Sequence, residues 1–290
     1  MITPQARYPK LKQDFYRQGS ESVARLLLGK TLVHEVSSPS SGHRVSSPSS
    51  GHRVSSPSST KAVPQFKQRL AARIVETEAY LGVTDRAAHS FGGRRTPRTE
   101  SMYLDGGHAY VFLIYGLHTC FNIVTGHKGI PEAVLIRAVQ PIEGIQQMAA
   151  NRKLDKFELG SSDFFKIASG PGKLCQALQI DRSLDRHALF EEGPFVDHAM
   201  LKNKSARKRE HIKHTPENTP ESIPENAIED LPEIWIEDSP LLEGETIYIS
   251  SRVGIDYAEE AIDWPLRFSL THAEYGRRHI SKPWPEMPER

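Results

Sequence analysis

The sequence predicts an α+β fold, one domain over residues 1–290 built on a curved, mainly antiparallel sheet with peripheral helices. Three observations lead there. Short runs rich in β-branched and aromatic residues follow one another closely, as in "HAYVFLIYG" and "CFNIVTG". Helical patterns are few and stand outside those runs. Two polar tracts, residues 37–60 and 201–240, interrupt the chain and have almost nothing to bury, so they read as insertions in a single fold.

The elements follow in order. Ser20 or Ser22 can cap a first helix whose stripe is Val23, Leu26 and Leu27, ending near Gly29. "KTLVHEV" reads as a strand. The chain then enters a nonapeptide, Val-Ser-Ser-Pro-Ser-Ser-Gly-His-Arg, at 36–44 and again at 45–53, with a truncated copy at 54–60. Tandem copies of this composition suit a disordered loop grown inside a hairpin turn, and loop closure becomes only slowly more costly with length. The repeated His43 and His52, in so flexible a tract, do not make a metal site. "RLAARIVETEAY" resumes the strand pattern, followed by "HAYVFLIYG", "CFNIVTG" and "AVLIRAVQP". A helix starting near Ile142 would carry Ile145 and Met148. "IASGPGKLCQALQI" is a Gly/Pro turn opening a short helix. It is no nucleotide-binding P-loop, because Leu174 follows Gly172-Lys173 and Ile167 stands where the first glycine belongs. Residues 201–240 combine a basic stretch with the Pro/Glu repeat "TPENTPESIPEN", a charged, Pro-stiffened insertion. The fold resumes with "ETIYISSRVGIDYA" and closes with "PLRFSL".

Composition narrows the function classes. No apolar run approaches a membrane span, and the first residues lack the apolar centre of a signal peptide. Cys120 and Cys175, in different segments, argue against a disulfide framework and for a reducing compartment: cytoplasm or nucleoid in a bacterium, nucleus in a eukaryote. The net charge of +1 hides a balance of +8 over residues 1–150 and −7 over 151–290. Such segregation suits a basic face for a polyanion and equally a chance distribution with one acidic loop.

Chemistry concentrates in a few stretches. In "VETEAY" the strand period puts Glu76, Glu78 and Tyr80 on one face and Val75, Thr77 and Ala79 on the other. That polar face could meet water or a ligand. Between Glu78 and His89 the chain has room to fold back, and a Glu, a His and the aromatics of 110–115 would suit stacking a planar heterocycle and activating water. A structural histidine and a solvated strand explain the same residues. "GGRRTPR" offers Arg94, Arg95, Thr96 and Arg98 as phosphate donors or as a plain charged loop. Val111 and Leu113 suit core packing, whereas Tyr115, just before Gly116, can project from a strand end. Cys120, His118 and His127 are too scattered for zinc, so no metal and no cofactor is expected.

Taken together, "RIVETEAYLG…AAHS", "GGRRTPR", "YVFLIYG", "CFNIV", "LIRAVQP", "SGPGKLCQAL" and "RVGIDYA…PLRF" resemble the alkyladenine (3-methyladenine) DNA glycosylase family. The resemblance runs in order over about residues 15–36, 64–195 and 244–270, outside the two insertions. It implies a monofunctional enzyme that flips an alkylated purine out of duplex DNA and hydrolyses its N-glycosidic bond, without strand cleavage. On that pattern Glu78 is the general base for the attacking water. Tyr80 forms one wall of the base pocket and His89 stands on the opposite side. Phe112 falls where some members carry a tyrosine, so stacking is kept and a phenol oxygen is absent. Asn122 crowds the 2-amino group of guanine. Tyr115 is the wedge entering the duplex. Arg137 holds the backbone of the flipped nucleotide, and Arg94, Thr96, Arg98 and Lys173 contribute phosphate contacts. The implied partner is damaged double-stranded DNA, bound by a monomer with no role for a membrane. Two other readings compete, a non-catalytic binder of damaged bases and a hydrolase of free nucleosides. The carboxylate of Glu78 disfavours the first; the phosphate donors and wedge disfavour the second. Glu76 shares the face of Glu78 and is expected to be a support or surface residue.

Overall fold

The longest strand, β2 (Phe66–Tyr80), lies at the centre of an eight-stranded sheet. A computed structural model of the chain describes residues 7–38, 66–114, 116–154, 166–190 and 233–271. The other strands are β1 (Thr31–Ser38), β3 (Ala109–Ile114), β4 (His118–Thr125), β5 (Glu132–Glu143), β6 (Glu233–Glu237), β7 (Thr246–Ser250) and β8 (Arg267–Thr271). The main path runs β3-β4-β5-β2-β1-β6, and β8 joins β2 and β7. Every one of these pairings is antiparallel. The α+β expectation therefore holds.

Strand β2 serves two partners along one edge. Residues 66–73 pair with β1 and residues 76–78 with β8. Its other edge pairs with β5, with irregularities between Ile74 and Thr77. Such bulges bend a strand and increase its twist. Here the bend falls just before Glu78.

The two faces of the sheet have different fates, as a period of two requires. Ala79, Val134, Ile136, Phe121, Ile123, Ala109 and Val111 bury into the main core. Helices α2 (Ser20–Leu27), α3 (Ile145–Asn151) and α4 (Pro171–Ala177) supply Val23, Leu27, Met148 and Leu174 to the same core. The Thr77 hydroxyl, on this face, is satisfied by donating 2.8 Å to the Ala24 carbonyl of α2. A short helix, α1 (Gln13–Tyr16), places the buried Tyr16 beside them. The opposite face carries a smaller cluster around Tyr110, Phe112, Cys120 and Leu135.

Five details differ from the sequence reading, the first being Leu113, which is 38% exposed near the end of β3 while Val111 is in the core. Neither Ser20 nor Ser22 caps α2 with its side chain; Gly19 precedes the helix, and the Ser20 amide donates instead to Glu132 at 2.8 Å. Leu26 is 46% exposed, because Ala24 takes the inward position on that turn. Helix α3 starts at Ile145 rather than near Ile142, since β5 keeps pairing through Glu143 and Gly144 turns the chain at φ 73°. Residues 233–240, assigned to the 201–240 insertion, belong to the fold: β6 pairs with β1, burying Ile234 and Ile236, and Ser239 is buried beside Thr31. The Pro/Glu-rich composition masks the short apolar run of "EIWIE", three consecutive apolar residues between two glutamates. The pairing Ser38↔Phe66 makes β1 and β2 a hairpin whose connection holds the Ser/Pro repeat. Residues 39–60 of that repeat and 201–232 of the second insertion lie outside the described residues.

Candidate active site

Sheet register assembles the site. Glu78 on β2 stands opposite Leu135 on β5, Leu135 opposite Asn122 on β4, and Asn122 opposite Tyr110 on β3. Directly paired residues share a face, as do residues two apart along a strand. One surface thus gathers Glu78 and Tyr80 from β2, Ala133, Leu135 and Arg137 from β5, Cys120 and Asn122 from β4, and Tyr110 and Phe112 from β3. With strands about 4.8 Å apart, the β2 and β3 walls are roughly 14 Å apart at the backbone. Between them lie Ala133, Leu135 and Arg137 of β5 and Cys120 and Asn122 of β4.

At the β2 wall, Glu78 is 0% exposed, and both of its carboxylate oxygens have partners. Its Oε1 accepts the Val253 amide at 2.9 Å, and its Oε2 accepts the Tyr80 hydroxyl at 2.9 Å and lies 3.2 Å from Arg137 Nη1. Burial pushes the Glu78 carboxyl above the usual range, while Arg137, the Val253 amide and the Tyr80 hydroxyl pull it back. The net direction is upward. Beside it, Glu76 Oε1 accepts from Arg137 Nε at 3.1 Å and Arg267 Nε at 2.6 Å. Glu76 is thus the buried support for Arg137 rather than a surface residue. Tyr80 keeps its proton, because burial and the neighbouring Glu78 raise the phenol well above its ordinary value.

The turn after β2 carries His89 across to the other wall. Asp85 shapes that turn by accepting the Leu81 amide at 3.0 Å and the Ala87 amide at 2.9 Å. The His89 ring meets Phe112 edge to face at 4.7 Å, and its Nδ1 lies 2.9 Å from the Tyr110 hydroxyl. Arg98 donates toward Nε2 at 3.3 Å, which assigns the imidazole proton to Nδ1. Burial, with Arg98 and Arg94 nearby, pushes His89 down to about 4. Its ring is neutral at physiological pH. The Arg98 guanidinium also lies 4.9 Å over the Phe112 ring. Asn122 is buried and donates to the Tyr110 carbonyl at 3.1 Å.

The structure thus brings Glu78, Tyr80 and Arg137 into direct contact, sets Asn122 and Phe112 on the same face, and packs His89 and Arg98 on Phe112. Among the described residues no hydrogen bond joins His89 to Glu78. Arg94 and Thr96 are exposed on the 91–98 loop, Lys173 is exposed on α4, and none of them is bonded to the Glu78 group. Helix α4 nonetheless begins beside the site, since the Gly170 amide donates to the Arg137 carbonyl at 3.0 Å. Tyr115 lies outside the described residues. Nothing in the sequence pattern gives a role to Asp85, Arg252, Arg267, the Val253 amide or the Tyr110 hydroxyl. Arg252 and Val253 lie in the motif "RVGIDYA", but strand periodicity says nothing about a backbone donor or a distant ion pair. Among the described residues no group of three His, Cys, Asp or Glu is placed to hold a metal ion, and no helix is long and apolar enough to cross a membrane.

A family profile described as methylpurine-DNA glycosylase matches residues 61–217. A protein of Desulfitobacterium hafniense (strain Y51) named "Putative 3-methyladenine DNA glycosylase" is 39% identical over 267 residues, covering 92% of this chain and 97% of that protein. Relatives under the same name from Clostridium acetobutylicum and Clostridium tetani are 36% and 35% identical over 262 residues, each covering 90% of this chain. They are covered over 94% and 95% of their own lengths.

Proposed function

Because the chain belongs to the methylpurine-DNA glycosylase family, a DNA glycosylase for alkylated bases, we propose that it hydrolyses the N-glycosidic bond of 3-methyladenine-type purines flipped out of duplex DNA. One observation carries this reading: a fully buried carboxylate, Glu78, lies between an arginine and an aromatic wall on a single sheet face.

Glu78 is the general base. Each carboxylate oxygen can accept about two hydrogen bonds, and Oε1 accepts only the Val253 amide among the described residues. Its second lone-pair site is the place for the attacking water. As the water oxygen bonds to C1′ of the sugar, its proton passes to Glu78 and the bond electrons leave with the base. An alkylated, cationic purine departs neutral and needs no acid. The ionised carboxylate also stabilises the positive charge developing on the sugar. Tyr80 and Phe112 provide stacking faces that favour a cation by roughly 0.5–2 kcal/mol. Neutral His89 adds no charge beside such a base. Asn122 screens out unmodified guanine at the floor.

A base within the stack is out of reach, so extrusion precedes chemistry. Tyr115 fills the gap left behind, Arg137 steadies the flipped nucleotide, and Arg94, Thr96, Arg98 and Lys173 grip phosphates. The enzyme works as a monomer, without lyase activity, in whichever reducing compartment holds the DNA. The test is release of 3-methyladenine from methylated duplex by wild type and Glu78→Gln under single turnover. Removing a general base lowers the rate about 10²–10⁴-fold. Equal release by both proteins would remove Glu78 from the mechanism.

A further inference from the structure

Arg252 is buried, and its side chain reaches three separate segments around the candidate site. Nη1 donates to Asp85 Oδ2 at 2.5 Å and to the Ala79 carbonyl at 3.0 Å. Nη2 donates to Asp85 Oδ1 at 2.9 Å and to the Ala261 carbonyl at 3.3 Å. The guanidinium lies 4.8 Å over the Tyr80 ring. Ala79 is the residue between Glu78 and Tyr80. Asp85 fixes the turn that delivers His89. The residue after Arg252 is Val253, whose amide donates to Glu78.

We propose that Arg252 and Asp85 form a positioning pair for the glycosylase site, setting the Tyr80 ring, the His89 turn and the Val253 amide that orients Glu78. The inference rests on the hydrolytic reading given above and adds residues that touch neither substrate nor water. A buried ion pair is a weak source of stability, since both charges must be taken out of water. What a guanidinium supplies is a rigid planar fork of donors. Here the fork converges on atoms flanking the general base. Adjacent Cα atoms are about 3.8 Å apart, so a displaced Arg252 carries the Val253 amide with it.

Two variants separate positioning from mere support. Arg252→Lys keeps the charge and loses the fork. The double variant Asp85→Leu/Arg252→Met removes both charges while keeping the volume, a change that buried pairs often tolerate. Circular dichroism and melting identify which of them fold. In a folded variant the single-turnover release rate is expected to fall at least about tenfold, while affinity for a duplex with an abasic-site analogue changes less than about threefold. The acid limb of the rate profile is expected to move to higher pH, because Glu78 loses a donor that favours its ionised form. A ¹³C NMR titration of Glu78, which has Glu76, Tyr80, Cys120, Arg137 and Arg267 among its ionisable neighbours, is expected to show the same upward move without any substrate. Incorporating the α-hydroxy analogue of valine at 253 deletes that one donor and is expected to reproduce the shift, even if both side-chain variants fail to fold. A folded variant with wild-type rate and acid limb overturns the pair's role, and an unmoved Glu78 titration in the valine-ester protein overturns the Val253 link. If wild type releases no base, the hydrolytic reading fails by itself, and the titrations still decide whether the pair orients Glu78.

Discussion

Glu78 combines two opposed demands on one side chain. Burial disfavours its charge, yet the base must be charged to take a proton from water. Activity is therefore expected to rise with pH through a value above that of an ordinary glutamate. His89, pushed down to about 4, is already neutral there and leaves that limb unchanged when replaced by Asn. A limb that disappears in His89→Asn would transfer the titration to the histidine. The same shift has a stability consequence. A raised carboxyl contributes stability that is present below its unfolded value and is lost as pH rises through its folded value. Glu78→Gln is thus expected to melt above wild type at pH 7, with the difference shrinking as pH falls toward 5. Melting curves of both proteins across that range check it. Period-two reading of "VETEAY" already put Glu76, Glu78 and Tyr80 together, because side-chain direction on a strand is set by parity alone. It could not reveal the Arg252–Asp85 pair, whose members lie 167 residues apart and meet only through the tertiary fold.

At the scale of elements, β3 and β4 form the projecting feature on the site's far wall. Ile114 pairs with His118, leaving residues 115–117 as the connection, and Leu117 beyond Tyr115 is 79% exposed. A side chain near such a connection can enter a base stack, and partial unstacking is the work proposed for Tyr115. Tyr115→Ala is expected to slow base extrusion, read by 2-aminopurine fluorescence beside the lesion, about tenfold or more. Affinity for undamaged duplex should change little, because phosphate contacts dominate it. Unchanged extrusion in the variant would remove the wedge role. The two strands are legible in "HAYVFLIYG" and "CFNIVTG", although β4 starts at His118, before the second run. Strand β6 is not. It is only five residues long with its three apolar residues consecutive, and a local window reads the acidic Pro-rich flank more strongly than the pairing with β1 that stabilises it. The start of α3 is hidden for a related reason. Pro141-Ile142 looks like a helix entry, yet cross-strand pairing of Pro141 and Glu143 with β2 keeps it extended.

For the molecule as a whole, the question is how a fold centred on β2 accommodates a long repeat within its β1–β2 hairpin. Both strands are anchored independently of their connection. Strand β1 pairs also with β6, and β2 pairs with β5 and β8, so neither depends on the turn for its place. The site lies at the far end of β2, beyond the bulged pairing near Glu76, while the connection joins the Phe66 end. At about 3.3 Å per residue, Phe66 and Glu78 are roughly 40 Å apart along the strand. Deleting residues 39–60 would shorten the connection about fivefold and relieve about 1.5 kcal/mol of closure cost. The five residues that remain suffice for a hairpin loop. The deletion variant is therefore expected to melt at or slightly above the wild-type temperature and to release 3-methyladenine within about twofold of the wild-type rate. Differential scanning calorimetry and the single-turnover assay measure the two quantities independently. A drop in rate with melting unchanged would place the repeat in contact with DNA. A drop in both would show that the tract supports the fold, against the independence that the strand pairing implies.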